Sequence, residues 1–390
     1  MRAAPTQEDI RRQNLGALLR RVHLLGPVSR AQLTAGMGLN RSTIGALTAD
    51  LTEAGLVLEE LPRDTAGRGR PSLVVRARSQ SVYALAFAVG ADRLVAARVG
   101  LGGVVLDRRE VERPGGTFGL DEGVERLADF AAHLTASAEP QALCVGAAAA
   151  VPAAIARDDG PAHARSGTER YGALLADAAG RTVRVGTTGN LGALGEHTRG
   201  AAAGHDDAVY LHGDGGISGG IIARGRPLTG ADGFAAELGH MVVNPHGRRC
   251  WCGSTGCWET EIGEPTLLTR AGHPGTRGRD AVHRAVDAAA RGDKDAEEGL
   301  RSVGDWLGIG VANLVNILNP RIVVFGGTLR LVYPAAAAQV RSRINRTTLP
   351  THREHLRLRT ALLADDAPLH GAAELAFTEL FENPLEFTSA

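Results

Sequence analysis

His240, Cys250, Cys252 and Cys257 fall within eighteen residues of one another and use three of the chain's four cysteines. Three thiols and one imidazole complete a tetrahedral donor set for zinc, with no position left over for water or substrate. A metal held in that way organises a loop and does no chemistry of its own. Glu237 and Glu259 stand at the two ends of the run, where a rigid turn could present their carboxylates to a small molecule. The competing reading, cysteines scattered by chance, sits poorly with such compact spacing and with the glycines between the thiols. Cys144, in the apolar run 142–151, reads as a small core residue.

The elements that must position these groups belong to a long chain. At 390 residues about two or three domains are expected. A hydrophobic content of 44% with 22% charged residues describes an ordinary globular protein. No apolar run is long enough to span a bilayer, no signal peptide opens the chain, and the cysteines leave nothing for a disulfide framework, so a cytoplasmic protein is expected. The net charge of +0 hides an asymmetry. Residues 1–79 carry twelve arginines against seven acids, a net of +5, and the remainder carries −5. A basic end on an acidic body points to a nucleic-acid-binding head and a separate effector body. Lys294 is the single lysine, which excludes a phosphate loop of the Gly-Lys-Ser/Thr kind.

In the head, Thr6 to Asp9 reads as a helix start, followed by Leu15, Leu18, Leu19, Val22 and Leu25 at helical spacing and a stop at Gly26-Pro27. Ser29 and Gln32 form a capping-box pattern for a second helix ending near Gly36. Asn40 caps a third, with Ile44, Leu47 and Leu51 inward and Arg41, Ser42, Gly45, Ala46 and Thr48 on the opposite face. Two short helices joined by a tight turn make a helix-turn-helix, whose second helix enters the major groove. Residues 56–58 and 72–75 read as a two-stranded wing with Arg68 and Arg70 on a glycine frame at its tip, suited to phosphates or a narrow minor groove. A solvated turn, or a winged helix that binds protein, is the alternative.

Residues 80–390 alternate strand-like and helix-like stretches. Strands are expected at 83–89, 93–99, 103–111, 142–150, 183–185, 208–211 and 321–327, with helices at 120–134, 190–203 and 297–318. The alternation implies α/β layers, and the two strand sets either side of about residue 200 imply two lobes around a cleft.

The chain resembles the ROK family (repressors, open reading frames and sugar kinases) almost end to end, and in particular its transcriptional-regulator branch. Ser29-Arg30 with residues 39–44 resembles that branch's helix-turn-helix, and residues 67–71 its wing. Residues 237–259 match the family signature and zinc motif, residues 322–327 its nucleotide-side glycine turn, and residues 371–373 its C-terminal helix. The resemblance implies an α/β, two-lobed, actin-like (ribonuclease-H-like) body that closes on a sugar, behind an N-terminal winged helix-turn-helix. The expected division is a DNA-binding domain at 1–79 and a sugar-kinase-like body at 80–390, with lobes of roughly 80–200 plus the C-terminal helix and 201–365. It implies a structural Zn2+ on His240, Cys250, Cys252 and Cys257, and sugar contacts from Glu237, His240 and Glu259. The residues expected to face DNA are Ser29, Arg30, Asn40, Arg41, Ser42 and Thr43, with Arg68 and Arg70 at the wing tip.

Departures from the family pattern bear on catalysis. Family kinases open the body with an aspartate and a Gly-Gly-Thr turn for ATP phosphates; here the run is Ala88-Val89-Gly90-Ala91-Asp92. They place Asn-Asp-Ala-Asn ahead of a helix, the Asp accepting the sugar hydroxyl's proton; here it is Thr187-Thr188-Gly189-Asn190. A threonine hydroxyl is no base near neutral pH, and losing a general base costs about two to four orders of magnitude in rate. The glycine loop 213–220 carries an acid, Asp214, near the family's Thr. Ala153 follows Pro152 where the family has glycine. The expectation is a regulator, most simply a repressor, with no kinase activity, binding double-stranded DNA as a homodimer or higher homo-oligomer and sensing a sugar or sugar phosphate. An active sugar kinase with a DNA-binding head, a ligand-independent regulator whose body only oligomerises, and a metal-responsive regulator are the rival readings.

Overall fold

Thr6 Oγ1 accepts a hydrogen bond from Asp9 N at 3.1 Å while Thr6 N donates to Asp9 Oδ2 at 3.0 Å, and this capping box starts α1 (Gln7–Leu25). The computed structural model describes residues 6–62, 72–152, 164–231, 233 and 235–387. Arg68, Arg70 and the rest of the expected wing tip, and Ala153, lie outside the described residues.

After α1 come β1 (Val28–Ser29), α2 (Arg30–Met37) and α3 (Arg41–Glu53), the last two capped by Ser29 and Asn40 as their side-chain chemistry dictates. Gly38, in the left-handed region at φ 67°, makes the turn between them, so α2 runs slightly beyond the expected Gly36. β2 (Val57–Glu60) and β3 (Val74–Ala77) pair antiparallel, and β1 adds a third strand on β3. A strand of two residues carries too little pattern to be read from sequence.

The first lobe is built on β4 (Val82–Val89), β5 (Arg93–Gly100) and β6 (Val105–Glu112), followed by α4 (Leu120–Ala136), β7 (Leu143–Val151), α5 (Ala164–Ala179), β8 (Arg184–Thr187) and α6 (Thr188–Arg199). Its sheet runs β6-β5-β4-β7-β8, antiparallel across β4 to β6 and parallel across β4, β7 and β8. β4 is buried along its whole length, as a strand covered on both faces must be.

The second lobe opens with β9 (Ala208–Asp214), β10 (Gly216–Ala223) and β11 (Arg226–Pro227). Then follow α7 (Trp258–Ile262), α8 (Glu264–Arg270), α9 (Arg279–Ala290), α10 (Lys294–Leu318), β12 (Ile322–Gly327), α11 (Leu329–Ala335), α12 (Ala337–Thr347), α13 (Pro350–Arg353) and β13 (Arg357–Thr360). Its sheet runs β11-β10-β9-β12-β13. The chain closes with α14 (Ala367–Ala376) and α15 (Thr378–Glu382).

α14 packs on β4 and β7 of the first sheet, α6 on β9 and β10 of the second, and the two helices pack on each other. This pair is the spine between the lobes. Gly371 permits it: a Cβ there would stand 1.8 Å from the Leu191 carbonyl oxygen. The head is not tethered loosely. Leu18, Ile44 and Val75 share one apolar core with Ala84, Ala148, Ala372, Phe377 and Leu380 of the body. Among the described residues no helix is long and apolar enough to cross a membrane.

Candidate functional site

A turn around Gly253 (φ 91°) brings Cys250 and Cys252 together, with Cys250 N donating to Ser254 O at 2.8 Å. An isolated bridge between Val242 and Cys257 closes the loop onto the strand-like segment after His240. Trp258 is fully buried behind it and donates from Nε1 to Trp306 O at 2.9 Å, fastening the loop to α10. One ligand atom from each of His240, Cys250, Cys252 and Cys257 lies within 4.8 Å of all the others. The Cys252 and Cys257 sulfurs are 3.6 Å apart, and Cys250 Sγ is 3.6 Å from His240 Nδ1. Zinc–sulfur bonds of about 2.3 Å at tetrahedral angles place sulfurs about 3.8 Å apart, so the cluster fits such an ion. It does not fit a disulfide, whose sulfurs lie about 2.05 Å apart. Burial pushes the Cys250 and Cys257 thiols above their ordinary range, so thiolates there require the charge of a cation.

Beside the metal loop lies a cavity lined by Pro152, Thr188, His212, Asp214, Ser218, Glu237, His240, Trp251 and Glu259, among others. The three expected sugar contacts, Glu237, His240 and Glu259, are thus brought to one wall. Trp251 stands edge-on to His240 with ring centroids 5.1 Å apart. Glu259 Oε2 accepts from Ile217 N at 3.4 Å, and its Oε1 is 3.2 Å from Cys250 Sγ, which ties the acid to the metal loop. Burial, and then the charge of Glu259, raise the Glu237 carboxyl. Thr188 is 4% exposed, and its Oγ1 has no hydrogen-bond partner among the described residues. A buried hydroxyl without a partner is costly unless something fills the cavity beside it. The space open to the centre of a water molecule is about 30 Å³, room for about two waters.

A second cavity shares Thr188, His212 and Asp214 and adds Ala88, Gly90, Asp92, Arg93, Arg279, Gly327, Thr328 and Asp365. Ala88 and Thr188 therefore present a methyl and a hydroxyl where the family resemblance expects carboxylates. Burial pulls the His212 imidazole down to about 4, so it is neutral at physiological pH, and its Nδ1 lies 2.8 Å from Tyr210 Oη. Arg279 pairs with Asp365 at 2.8 Å and Arg93 with Asp366 at 2.9 Å.

In the head, Ser29 and Asn40 spend their side-chain oxygens on helix caps, Asn40 Oδ1 accepting from Thr43 N at 2.8 Å and from Ser42 Oγ at 2.7 Å. Arg30 donates from Nε to Glu59 Oε1 at 2.5 Å, which joins α2 to β2. Arg41 and Ser42 are exposed at the start of α3, and Thr43 is half-buried. Thr48 is not on the outer face as its position suggested. It is fully buried and donates back to Ile44 O at 2.8 Å.

Sequence reasoning missed Trp251 and His212 as cavity walls. Trp251 sits between Cys250 and Cys252, a position that could have marked it; His212 carries no local signal. It also missed a buried cluster at the junction of head and body. His23, fully buried in α1, lies 3.0 Å from Glu374 Oε1 of α14, and Arg199 Nε at the end of α6 donates to the same oxygen at 2.9 Å. Gly102 N donates to His23 Nδ1 at 2.8 Å.

Comparison with known proteins places this geometry. The model of the ROK family matches residues 84–379. The Xylose repressor of Bacillus subtilis is 26% identical over 382 residues, covering 96% of this chain and 98% of that protein. The Glucokinase of Thermotoga maritima is 34% identical over 218 residues, 52% of this chain and 68% of the kinase. A crystal structure described as a ROK family transcriptional regulator, a homologue of the E. coli MLC protein, superposes with a TM-score of 0.75 at 24% identity, over 98% of this chain and 99% of that one. The glucokinase match stops short of the chain's full length, whereas the repressor and regulator matches take in head and body together.

Proposed function

The chain belongs to the ROK family, and we propose that it is a DNA-binding transcriptional repressor whose kinase-like body senses a sugar and does not phosphorylate it. The observation that carries this reading is the near-complete span shared with the Xylose repressor, 96% of this chain against 98% of that protein, which takes in head and body together. In this reading residues 1–79 form the DNA-binding domain and 80–390 the effector body. Arg41 and Ser42, exposed at the N-terminus of α3, face the major groove. Ser29, Asn40 and Thr43 hold the helix starts, and Arg30 ties α2 to the wing. Arg68 and Arg70 reach the phosphates or the minor groove. Two-fold operators call for paired heads, so a homodimer is the expected working unit.

The metal in this reading is Zn2+, held by His240, Cys250, Cys252 and Cys257, closed to solvent ligands and purely structural. It would fix the loop that carries Trp251 and Glu259 against the cleft. Glu237, His240 and Glu259 then meet sugar hydroxyls, carboxylates suiting polyols because each oxygen accepts hydroxyl donors. The orphan hydroxyl of Thr188 supports a ligand at the floor of the same cavity.

Two experiments test the parts. Replacing Arg68 and Arg70 by Ala should weaken binding to duplex DNA at all sequences and lower the slope of log affinity against log salt by about one per arginine; unchanged affinity and slope reject the wing. The second reading, a sugar kinase with a DNA-binding head, is favoured by the 34% identity to a glucokinase and opposed by Ala88 and Thr188. A coupled assay of ATP consumption over a sugar panel decides it: no turnover above background is expected, and steady turnover overturns the repressor reading of the body.

A further inference from the structure

Asp214 ends β9 in the second lobe, yet its Oδ2 accepts a hydrogen bond from Ala91 N, in the turn between β4 and β5 of the first lobe, at 2.9 Å. A carboxylate of the protein thus holds a backbone N–H that faces the cleft, a donor that any entering anion would compete for. Asp214 also stands where the two cavities meet, in the wall of both.

On the side of the metal loop the charges point one way. The ionisable groups lining the cavity beside the metal loop are Asp214, Glu237, Glu259, His212 and His240, with no lysine or arginine among the described lining residues. His212 brings no positive charge, because burial keeps its imidazole neutral. The two arginines of the neighbouring cavity are engaged, Arg93 by Asp366 at 2.9 Å and Arg279 by Asp365 at 2.8 Å, and Asp92 adds another carboxylate there. A phosphate monoester carries about two negative charges and needs cations or several free N–H donors. An uncharged polyol meets the opposite situation: acceptor oxygens on Asp214, Glu237 and Glu259, and a partnerless hydroxyl on Thr188.

We propose that Asp214 is the specificity-determining residue of this cleft: it fills an anion seat on Ala91 N–H, clasps the two lobes together, and makes the cleft refuse phosphate. Nucleotides and sugar phosphates are excluded alike, and the effector is an unphosphorylated sugar. The statement about the effector rests on the sugar-sensing reading above; the statement about the anion seat does not. Burial raises the Asp214 carboxyl to about 6 against the pull of the Ala91 hydrogen bond, so at pH 8 it carries its charge.

The test uses the full chain at pH 8 in a phosphate-free buffer, with thermal unfolding and isothermal titration as readouts. The probes are inorganic phosphate, glucose, N-acetylglucosamine and the 6-phosphates of both sugars, applied to the wild type, Asp214→Ser and Asp214→Asn. The wild type should ignore phosphate and both 6-phosphates. Asp214→Ser, which vacates the seat, should bind phosphate at least about tenfold more tightly than the wild type. Asp214→Asn, which keeps the shape and drops the charge, should move in the same direction and carries the test if the serine variant does not fold. A wild type that binds a 6-phosphate more tightly than its parent sugar overturns the proposal and leaves sugar sensing intact. Folded variants that stay as indifferent to phosphate as the wild type also overturn it. If phosphate binding appears in the variants while no sugar binds the wild type, the anion seat stands and the sugar-sensing reading falls.

Discussion

Cys252 and Cys257 show how much a residue's chemistry can announce before any fold is known. Thiols at this spacing, with an imidazole ten residues before the first, have few other uses, and the structure brings their donor atoms to 3.6 Å. Cys252→Ser should lower the zinc content of purified protein well below one per chain, measured by elemental analysis; unchanged stoichiometry would reject the four-ligand site. Glu237 and Glu259 were legible for the same reason, because they flank the metal run in sequence. Trp251, His212 and the orphan hydroxyl of Thr188 complete the cavity from β9, α6 and the loop. Residues so far apart in the chain meet only through the sheet order, which leaves no mark in local pattern. Thr48 misled for a related reason: its hydroxyl satisfies itself on the backbone of its own helix, so a polar residue could turn inward at little cost.

At the scale of elements, α6 and α14 run from the cleft to the head. Thr188 at the start of α6 and Pro368 at the start of α14 line the second cavity. Their far ends carry Arg199 and Glu374, which close on His23 of α1. Burial alone would raise the Glu374 carboxyl; His23 and Arg199 outweigh it and hold it at about 2. The stability this confers is therefore complete above the ordinary carboxyl value of 4.5 and lost as pH falls through about 2. Glu374→Gln leaves the partly exposed Arg199 guanidinium without its carboxylate, which should cost about 3 kcal/mol in urea unfolding at pH 7, the low end for breaking a buried pair. The gap between wild type and variant should hold steady from pH 7 to 5 and narrow only in stronger acid; a gap that vanishes by pH 5 contradicts the network. The long helices were legible from caps and periodicity, as Thr6, Ser29 and Asn40 illustrate. β1, β11 and β13 were not, because two to four residues show no period, and their pairing is decided by partners elsewhere.

At the scale of the whole molecule, the basic head and acidic body read from charge alone turn out to share an apolar core. A head packed in this way touches the spine helices directly, so in the proposed reading a ligand that favours one arrangement of the lobes would bias the head's geometry as well. Overall two-lobed architecture followed from the alternation of strands and helices, whereas the continuity of head and body did not, since it depends on Phe377 and Leu380 returning from the far end of the chain. In the proposed reading a sugar in the cleft alters the grip on DNA. The most direct test is fluorescence anisotropy of the full chain on a labelled duplex taken from upstream of its own gene, titrated at fixed salt with and without each sugar of a panel. The account predicts saturable binding that at least one unphosphorylated sugar weakens about tenfold or more. Binding that every sugar leaves unchanged, or no preference for that duplex over random DNA, would contradict it.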